Sequence, residues 1–331
     1  MQQGRSYQRG RNDKAHTMRR VHMCHTIYLL ICLLGVTAYT AFGTTSTTQV
    51  NFLFDDRNVL VVLPKNFHSH RLYPLIVNIH GFGVNGAIEI GYQGYDKLPG
   101  KHDVIVAAPT GSVHPNLGVT FWNATLACCG FEYFFGPTGV DDVDYLTRLI
   151  DELSSRYPID PERIYLVGHS NGGFMAHRMA CDRAERLAAI VALSGTTHFD
   201  PDECHPSAPV NILHIHGTAD TRVSFDGGTM SPSGNPGGRY PGAIETVGRW
   251  ADLNGCSGPR TDLGRHFDIS SVIEGKETRV SRYRGCPTHA GDVELWTIVG
   301  ADHVTPLTEG DHDIPEFAKR TWEWLKIRRK R

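Results

Sequence analysis

Short runs of consecutive apolar residues recur along the chain, and each has the length of a buried β-strand. The predicted strands are residues 75–79, 104–108, 164–167, 187–193, 210–215 and 293–299. In other segments, apolar residues recur at intervals of three and four, the spacing of one face of an α-helix. The predicted helices are residues 140–157, 171–182, 241–254 and 315–327. Alternating strands and helices predict an α/β fold, with a mainly parallel twisted sheet and helices on both faces.

The body of the chain, residues 44–331, contains no internal repeat and no linker, which predicts a single domain. The 331-residue sequence is 40% hydrophobic and 21% charged, which excludes a disordered or collagen-like chain. Its formal net charge is −2, so there is no basic excess that would favour nucleic-acid binding.

The first 43 residues predict a signal peptide. Arg19 and Arg20 precede an apolar run at residues 27–36, and the small residues at 41–43 fit a cleavage site. This run is shorter than the roughly 20 residues that span a membrane. We therefore expect a secreted protein with no membrane contact after cleavage. The alternative is an uncleaved anchor that holds the rest of the chain outside the cell.

The cysteines that follow this segment suggest disulfides, because their number is even and the chain is expected to be exported. We predict a bond between Cys256 and Cys286, which would close a hairpin excursion between a helix and the last strand. Cys181 and Cys204 are the second predicted pair. The six cysteines are Cys128, Cys129, Cys181, Cys204, Cys256 and Cys286.

Cys128 and Cys129 are adjacent, so they bond each other, stay reduced or force a different connectivity. No cysteine pair has the CxxC spacing of a zinc site. Asn123 begins the one N-x-S/T sequon and is a candidate glycosylation site if the chain is exported.

Candidate chemistry centres on residues 168–172, which read Gly-His-Ser-Asn-Gly between a predicted strand and a predicted helix. This is the G-x-S-x-G pattern, in which a sharp strand-to-helix turn raises the serine hydroxyl above the sheet. The helix that follows directs backbone N–H groups at the same point. The pattern and its context predict that Ser170 is a nucleophile.

A serine nucleophile needs a histidine base and a carboxylate that orients the histidine, and in this kind of fold the acid and then the histidine follow the serine. Asp220 comes after the strand at residues 210–215 and is the predicted acid, with Asp226 as the alternative. His303 comes after the strand at residues 293–299 and is the predicted base, with His312 as the alternative.

The oxyanion of an acyl-transfer reaction needs two N–H donors. One should be the backbone N–H of Asn171, directly after the nucleophile. The other should come from the loop after an early strand, so the N–H of Phe82 or Gly83 is the candidate.

Other histidines near these positions are predicted to be structural. His80 ends an early strand, and His214 and His216 lie on one face of a predicted strand with no third ligand evident. We therefore expect no metal site. A serine, histidine and aspartate triad also needs no cofactor.

Six motifs together resemble the polyhydroxybutyrate depolymerase and feruloyl esterase group of secreted α/β-hydrolases. The resemblance covers most of residues 50–306. It implies Ser170 as nucleophile, Asp220 as acid, His303 as base, and oxyanion donors at Phe82 and Asn171. The motifs are HGFG at His80, CCG at Cys128, GVDDVDYL at Gly139, DPERIYLVGHSNGGFMAHRMAC at Asp160, HGTAD at His216 and VELWTIVGADH at Val293.

The resemblance also implies ester substrates: hydroxyalkanoate polyesters, or feruloyl and acetyl esters on plant polysaccharide. The family commonly places Trp-Pro two residues after its histidine, whereas this chain has Thr305 at the tryptophan position. We expect Thr305 and the aromatic-rich residues 112–139, with Trp122 among them, to shape the substrate pocket.

These features favour a carboxylesterase acting on a small-molecule or oligomeric ester, with little action on crystalline polyester. A serine peptidase or thioesterase could share the same triad. A non-catalytic interaction protein is a third reading, although such proteins usually lose the serine or the histidine. The sequence does not determine the oligomeric state.

Overall fold

The computed structural model describes residues 47–230, 238–310 and 314–330. The predicted signal peptide, the alternative membrane anchor and the alternative base His312 lie outside these residues. In the described ranges, no helix combines the length and the apolarity that are needed to cross a lipid bilayer.

Strands and helices alternate through the described residues. The strands are β1 (Thr48–Phe54), β2 (Arg57–Leu63), β3 (Tyr73–Ile79), β4 (Ile105–Pro109), β5 (Ser112–Val113), β6 (Thr120–Phe121), β7 (Ile159–His169), β8 (Ala189–Leu193), β9 (Asn211–Gly217), β10 (Gly227–Thr229), β11 (Arg239–Pro241), β12 (Arg260–Phe267), β13 (Thr278–Tyr283) and β14 (Val293–Ile298). The helices are α1 (Gly86–Gln93), α2 (Glu132–Phe135), α3 (Asp142–Arg156), α4 (Asn171–Asp182), α5 (Ala243–Leu253) and α6 (Glu316–Leu325).

Among the described residues, one sheet of ten strands forms the centre of the fold, in the order β1-β2-β4-β3-β7-β8-β9-β14-β13-β12. The strands from β4 to β14 pair in parallel, whereas the two strands added at each edge pair antiparallel. The prediction of an α/β fold with a mainly parallel sheet is confirmed. Because parallel strands end at one edge, the loops after β3, β7, β9 and β14 meet there.

Two hydrophobic layers cover the two faces of the sheet. Helices α3, α4 and α5 supply one layer, in which Leu146, Phe174 and Trp250 are fully buried. Helices α1 and α6 supply the other, which includes Ile90 and Phe317. Burial of both faces explains why the central strands read as continuous apolar runs.

The edge strands were not predicted from the apolar runs. Strand β1 alternates between exposed and half-buried positions, so it carries no continuous apolar segment. Strands β12 and β13 lie between Cys256 and Cys286, where the sequence indicated a hairpin excursion. They pair antiparallel with each other, as a hairpin does, and they also extend the main sheet, because β13 pairs with β14 along residues 278–282.

The structure contains three disulfides within the described residues. Two of them join Cys181 to Cys204 and Cys256 to Cys286, the pairs expected from the sequence. The third joins the adjacent residues of the CCG motif, Cys128 and Cys129. The first two crosslinks close loops between residues 23 and 30 positions apart, so they limit the conformations of the unfolded chain and stabilise the folded state.

Candidate active site

Ser170 lies at the sharp turn between β7 and α4. Its φ of 55° and ψ of −118° are rarely adopted by a residue with a side chain, so the turn is strained. The strained conformation is held by the packed strand before it and the helix after it. The side chain remains partly exposed, as a nucleophile requires.

Two glycines allow this turn to form. A Cβ atom on Gly168 would lie 2.1 Å from the carbonyl oxygen of Gly172, and one on Gly172 would lie 2.1 Å from the carbonyl oxygen of Ile79. Any larger residue would force the backbone apart at either position. The G-x-S-x-G pattern thus reflects close backbone contacts between β3, β7 and α4.

The three predicted triad residues come together at the carboxyl edge of the sheet. His303 Nε2 lies 2.8 Å from Ser170 Oγ, and His303 Nδ1 lies 2.8 Å from Asp220 Oδ2. This pattern suits an imidazole that donates from Nδ1 to the carboxylate and accepts the serine proton at Nε2. The chain order of serine, acid and histidine therefore matches the geometry.

Asp220 is held at both of its carboxylate oxygens. Oδ1 accepts hydrogen bonds from the backbone N–H groups of Arg222 and Val223, at 2.9 and 2.8 Å. Burial favours the neutral acid, but hydrogen bonds from His216 and His303 outweigh it and hold the pKa of Asp220 well below its usual range. The alternative acid, Asp226, is exposed, and His303 pairs with Asp220.

Asp302 joins the loop of Asp220 to the loop of His303, a role that was not predicted from the sequence. Its Oδ1 accepts the backbone N–H of His303 at 2.7 Å. The same oxygen accepts the backbone N–H and the hydroxyl of Thr221, each at 2.9 Å. Asp302 thus joins the residue after the acid to the base itself, and its place directly before His303 was the available signal.

The loop after β3 lies beside the nucleophile. A Cβ atom built on Gly81 would lie 3.5 Å from the Cβ of Ser170. The N–H of Gly83 already donates to the carbonyl of Thr120 at 2.8 Å, which leaves Phe82 as the donor candidate in this loop. Asn171 is the first residue of α4, so its N–H lacks a carbonyl partner within the helix.

The structure contradicts the substrate contacts predicted for Trp122 and Thr305. Trp122 is fully buried, and its indole N–H donates to the carbonyl of His80 at 3.1 Å. Its backbone exchanges two hydrogen bonds with the Asn171 side chain. Thr305 is buried too, with its hydroxyl bonded to that of Ser270. Both side chains are therefore packed beneath the site, where their hydrogen bonds hold neighbouring residues in place.

The structure also argues against a glycan on Asn123. The side-chain nitrogen that would carry the glycan donates hydrogen bonds to Glu132, Thr138 and the carbonyl of Val140, at 3.1 to 3.2 Å. The residue is only partly exposed. Glycosylation would require these bonds to break, so Asn123 instead stabilises the loop before α3.

A connected group of aromatic side chains extends from Phe82. Its ring centroid lies 5.6 Å from that of Phe131, which lies 6.2 Å from that of Tyr133. The series continues to Phe134 and Phe135, both largely exposed. We call these five residues the aromatic rim. It places the apolar surface that was expected in residues 112–139 next to the oxyanion candidate.

Glu89 is a buried carboxyl group beneath the site. It accepts the backbone N–H of Gly81 at 3.2 Å, and it lies 3.7 Å from Nδ1 of His169. Burial raises the pKa of Glu89 to about 8 and lowers the pKa of His169 to about 4. Both side chains are therefore uncharged between these limits, and the pair is not an ion pair at neutral pH.

Replacing Glu89 by glutamine should remove a loss of stability that accumulates as pH rises from 4.5 to about 8. The folded-state pKa of about 8 exceeds the usual 4.5, so the stability linked to Glu89 is complete below pH 4.5 and is lost as pH rises through 8. Within that window the loss approaches about 1.4 kcal/mol per pH unit. Urea unfolding at about pH 5 and about pH 9 should show Glu89→Gln gaining on the wild type at the higher pH. A stability difference that is independent of pH would contradict this assignment.

Comparison with known proteins agrees with the fold and the motifs. A family model described as phospholipase/carboxylesterase matches residues 139–232. Feruloyl esterase B of Piromyces equi is 31% identical over 280 residues, which cover 82% of this chain and 45% of that protein. Feruloyl esterase D of Neurospora crassa is 24% identical over 289 residues, which cover 86% of this chain and 85% of that protein.

A solved structure of an acetyl xylan esterase from Aspergillus awamori superposes with a TM-score of 0.54 at 18% sequence identity. The superposition covers 85% of this chain and 99% of the acetyl xylan esterase chain, which supports the α/β-hydrolase fold. The chain spans less than half the length of the first two curated relatives it matches.

The sheet topology and the strained serine turn define an α/β-hydrolase. Within that class, the matched sequences are similar to those of feruloyl esterases.

Proposed function

We propose that this chain is a serine esterase that cleaves carboxylic esters through an acyl-enzyme on Ser170. The observation that carries the proposal is the continuous hydrogen-bonded series from Ser170 through His303 to Asp220. The names of the similar proteins, feruloyl and acetyl xylan esterases, support the same reaction class.

The geometry supports a two-stage reaction. In the first stage, His303 Nε2 takes the proton of Ser170 while Oγ attacks the ester carbonyl carbon. The N–H groups of Phe82 and Asn171 would bind the oxyanion of the tetrahedral intermediate. His303 then returns the proton to the leaving alkoxide, and the acyl group stays on Ser170.

In the second stage, a water molecule replaces the alcohol. His303 removes a proton from that water as it attacks the acyl carbon, and the proton then passes to Ser170 as the acid leaves. Asp220 remains ionised throughout and stabilises the imidazolium that forms twice in each cycle.

The aromatic rim favours esters with an aryl or other apolar acyl group. Phe131 packs beside Phe82, and the rim continues to the exposed rings of Phe134 and Phe135, so it offers apolar surface for the acyl group of a bound ester. We include feruloyl esters, acetyl esters and short hydroxyalkanoate oligomers in the proposed substrate class. The polyhydroxybutyrate depolymerase and feruloyl esterase group commonly has tryptophan at the position of Thr305, and Thr305 is buried. This position therefore offers no exposed aromatic ring to hold a polymer surface, so we expect poor activity on crystalline polyester.

We also propose that residues 44–331 act as a single catalytic domain outside the cell. The three disulfides in the described residues support export, because such bonds persist in oxidising compartments. Cleavage of the N-terminal segment and its alternative, a retained anchor, can be separated by N-terminal sequencing of the exported protein.

A substrate panel tests this proposal. Purified protein should hydrolyse p-nitrophenyl butyrate, methyl ferulate and soluble hydroxybutyrate oligomers, with slow clearing of a crystalline polyhydroxybutyrate suspension at equal enzyme concentration. Peptide amides and acyl thioesters included in the panel separate the peptidase and thioesterase readings. Faster turnover of an amide or thioester than of every ester would overturn the proposal. Rapid clearing of the crystalline suspension would overturn the expectation of poor activity on crystalline polyester.

A matched pair of variants tests the aromatic rim. Phe131→Leu should raise KM for methyl ferulate more than for p-nitrophenyl acetate, because it removes a ring beside Phe82. Leu126→Ala, an exposed change in the same loop, should leave both values unchanged. Equal effects of Phe131→Leu on the two esters would show that the rim does not recognise the acyl group.

A further inference from the structure

Three buried histidines form a hydrogen-bonded series that leads to the acid of the proposed triad. The series starts at Trp250 on α5, passes through His177 on α4, and continues through His214 and His216 on β9 to Asp220. All four ring side chains are fully buried. The contacts are Trp250 Nε1 to His177 Nδ1 at 2.9 Å, His177 Nε2 to His214 Nδ1 at 3.2 Å, His214 Nε2 to His216 Nδ1 at 3.1 Å, His216 Nε2 to Val223 O at 2.7 Å and His216 Nε2 to Asp220 Oδ2 at 3.4 Å.

The groups at the two ends of this series require each histidine to accept a hydrogen bond at Nδ1 and to donate one from Nε2. An indole N–H can only donate, so His177 must accept at Nδ1 and carry its proton on Nε2. The carbonyl of Val223 and the ionised Asp220 can only accept, so His216 must also carry its proton on Nε2. His214 between them is then held in the same tautomer. The N–H of each ring therefore points along the series towards Asp220.

The series also requires all three rings to be neutral. A second proton on any ring would place an N–H group against the N–H of its neighbour. Burial lowers the pKa of His177 to about 3 and the pKa of His214 well below its usual value. Electrostatic repulsion between protonated rings, and from His198 for His177, lowers these pKa values further.

We propose that His216 is a positioning residue of the triad, and that His214, His177 and Trp250 hold it in the tautomer whose Nε2–H donates to the carbonyl of Val223 and faces Asp220 Oδ2 at 3.4 Å. This inference rests on the proposed esterase function. Asp220 Oδ1 accepts hydrogen bonds from two backbone N–H groups, whereas Oδ2, among the described residues, contacts the side chains of His303 and His216. The series of histidines therefore ends beside Oδ2, the carboxylate oxygen of Asp220 that also contacts His303.

Two substitutions at position 216 separate this role from simple packing. His216→Phe keeps an aromatic ring and removes the N–H group, so kcat for p-nitrophenyl acetate should fall about tenfold or more with little change in KM, because the Asp220 carboxylate loses the polar group that faces it. His216→Gln keeps a donor at the position of Nε2 and should recover most of that loss. Wild-type kcat in His216→Phe would overturn the inference, as would equal losses in both variants.

The pH profile supplies a readout that packing alone would not move. Asp220, His169, Asp302 and Ser170 are the titratable or polar groups around His303, and His169 stays neutral above about pH 4. Without the His216 donor, the charge on Asp220 is less neutralised, so His303 holds its proton more strongly. The acid limb of kcat/KM should then move to higher pH in His216→Phe and should stay in place in His216→Gln.

Nuclear magnetic resonance keeps the inference testable without turnover. In ¹⁵N-labelled wild-type protein, His177, His214 and His216 should each show a protonated Nε2, and His177 and His214 should not titrate near neutral pH. Trp250→Phe should disturb these signals, whereas Trp296→Phe, which removes another buried indole donor that bonds Glu294, should not. A protonated Nδ1 on any of the three rings would overturn the inference. The absence of ester hydrolysis by the wild type, with these signals present, would instead overturn the proposed function.

Discussion

Replacing Ser170 by alanine should lower kcat/KM for p-nitrophenyl acetate by about 10³-fold or more. The hydroxyl is the group that His303 contacts at 2.8 Å, and without it no acyl-enzyme can form at this site. The fold should survive, because alanine is smaller than serine and the strained turn is held by β7, α4 and the glycines around it. The measurement is the initial rate of p-nitrophenol release, with circular dichroism to verify folding.

Ser271→Ala is the matched control for this change. Ser271 is exposed, and its hydroxyl donates to the carbonyl of Pro306 and not to a triad residue. Its loss should leave kcat/KM within about twofold of wild type. Retained activity in a folded Ser170→Ala protein would contradict the assignment of the nucleophile.

Replacing Asp220 by asparagine should lower kcat by about 10²- to 10⁴-fold. The new amide can present an N–H to His303 Nδ1, which favours the imidazole tautomer that cannot accept the serine proton at Nε2. It also removes the negative charge that stabilises the imidazolium. KM should change little, because Asp220 has a fully buried side chain that does not reach the substrate side of the site.

The same variant should show an acid-dependent stability difference. The pKa of Asp220 is depressed, so its charge contributes stability that is present above its unfolded value of 3.8 and is lost as pH falls towards the folded value. The wild type should therefore be more stable than Asp220→Asn at neutral pH, and the gap should narrow in strong acid. Asp226→Asn is the control, and it should affect neither kcat nor stability much. A severe Asp226→Asn phenotype with a mild Asp220→Asn phenotype would reverse the acid assignment.

The sequence predicted the parts of the site that depend on local chemistry. The G-x-S-x-G pattern placed Ser170 because its glycines are required by backbone contacts of only 2.1 Å. Asp220 and His303 followed from their positions after buried strands, since parallel strands bring their carboxyl ends to one edge. The central strands were predicted because burial on both faces leaves continuous apolar runs.

The parts that depend on tertiary contacts were not predicted. Trp122 was predicted to line the substrate pocket because it lies in an aromatic-rich stretch of the sequence. Its indole is instead fully buried, and its N–H donates to the carbonyl of His80. His214 and His216 were assigned to the core, and the series to which they belong requires His177 from a different helix. Asp302 acts by joining two loops that are 81 residues apart in sequence. No local pattern carries such information.

Active-site labelling tests the central claim most directly. Wild-type protein treated with an organophosphonate ester should gain one adduct, and peptide mass spectrometry should locate it on Ser170. Excess p-nitrophenyl butyrate should slow the labelling, because it competes for the Ser170 hydroxyl. Asp220→Asn should slow it strongly, because it weakens the base that activates the same hydroxyl. A stoichiometric adduct on Ser170 with parallel loss of esterase activity is the predicted result. Full inactivation with the adduct on another residue, or sustained ester hydrolysis with Ser170 fully labelled, would contradict the account.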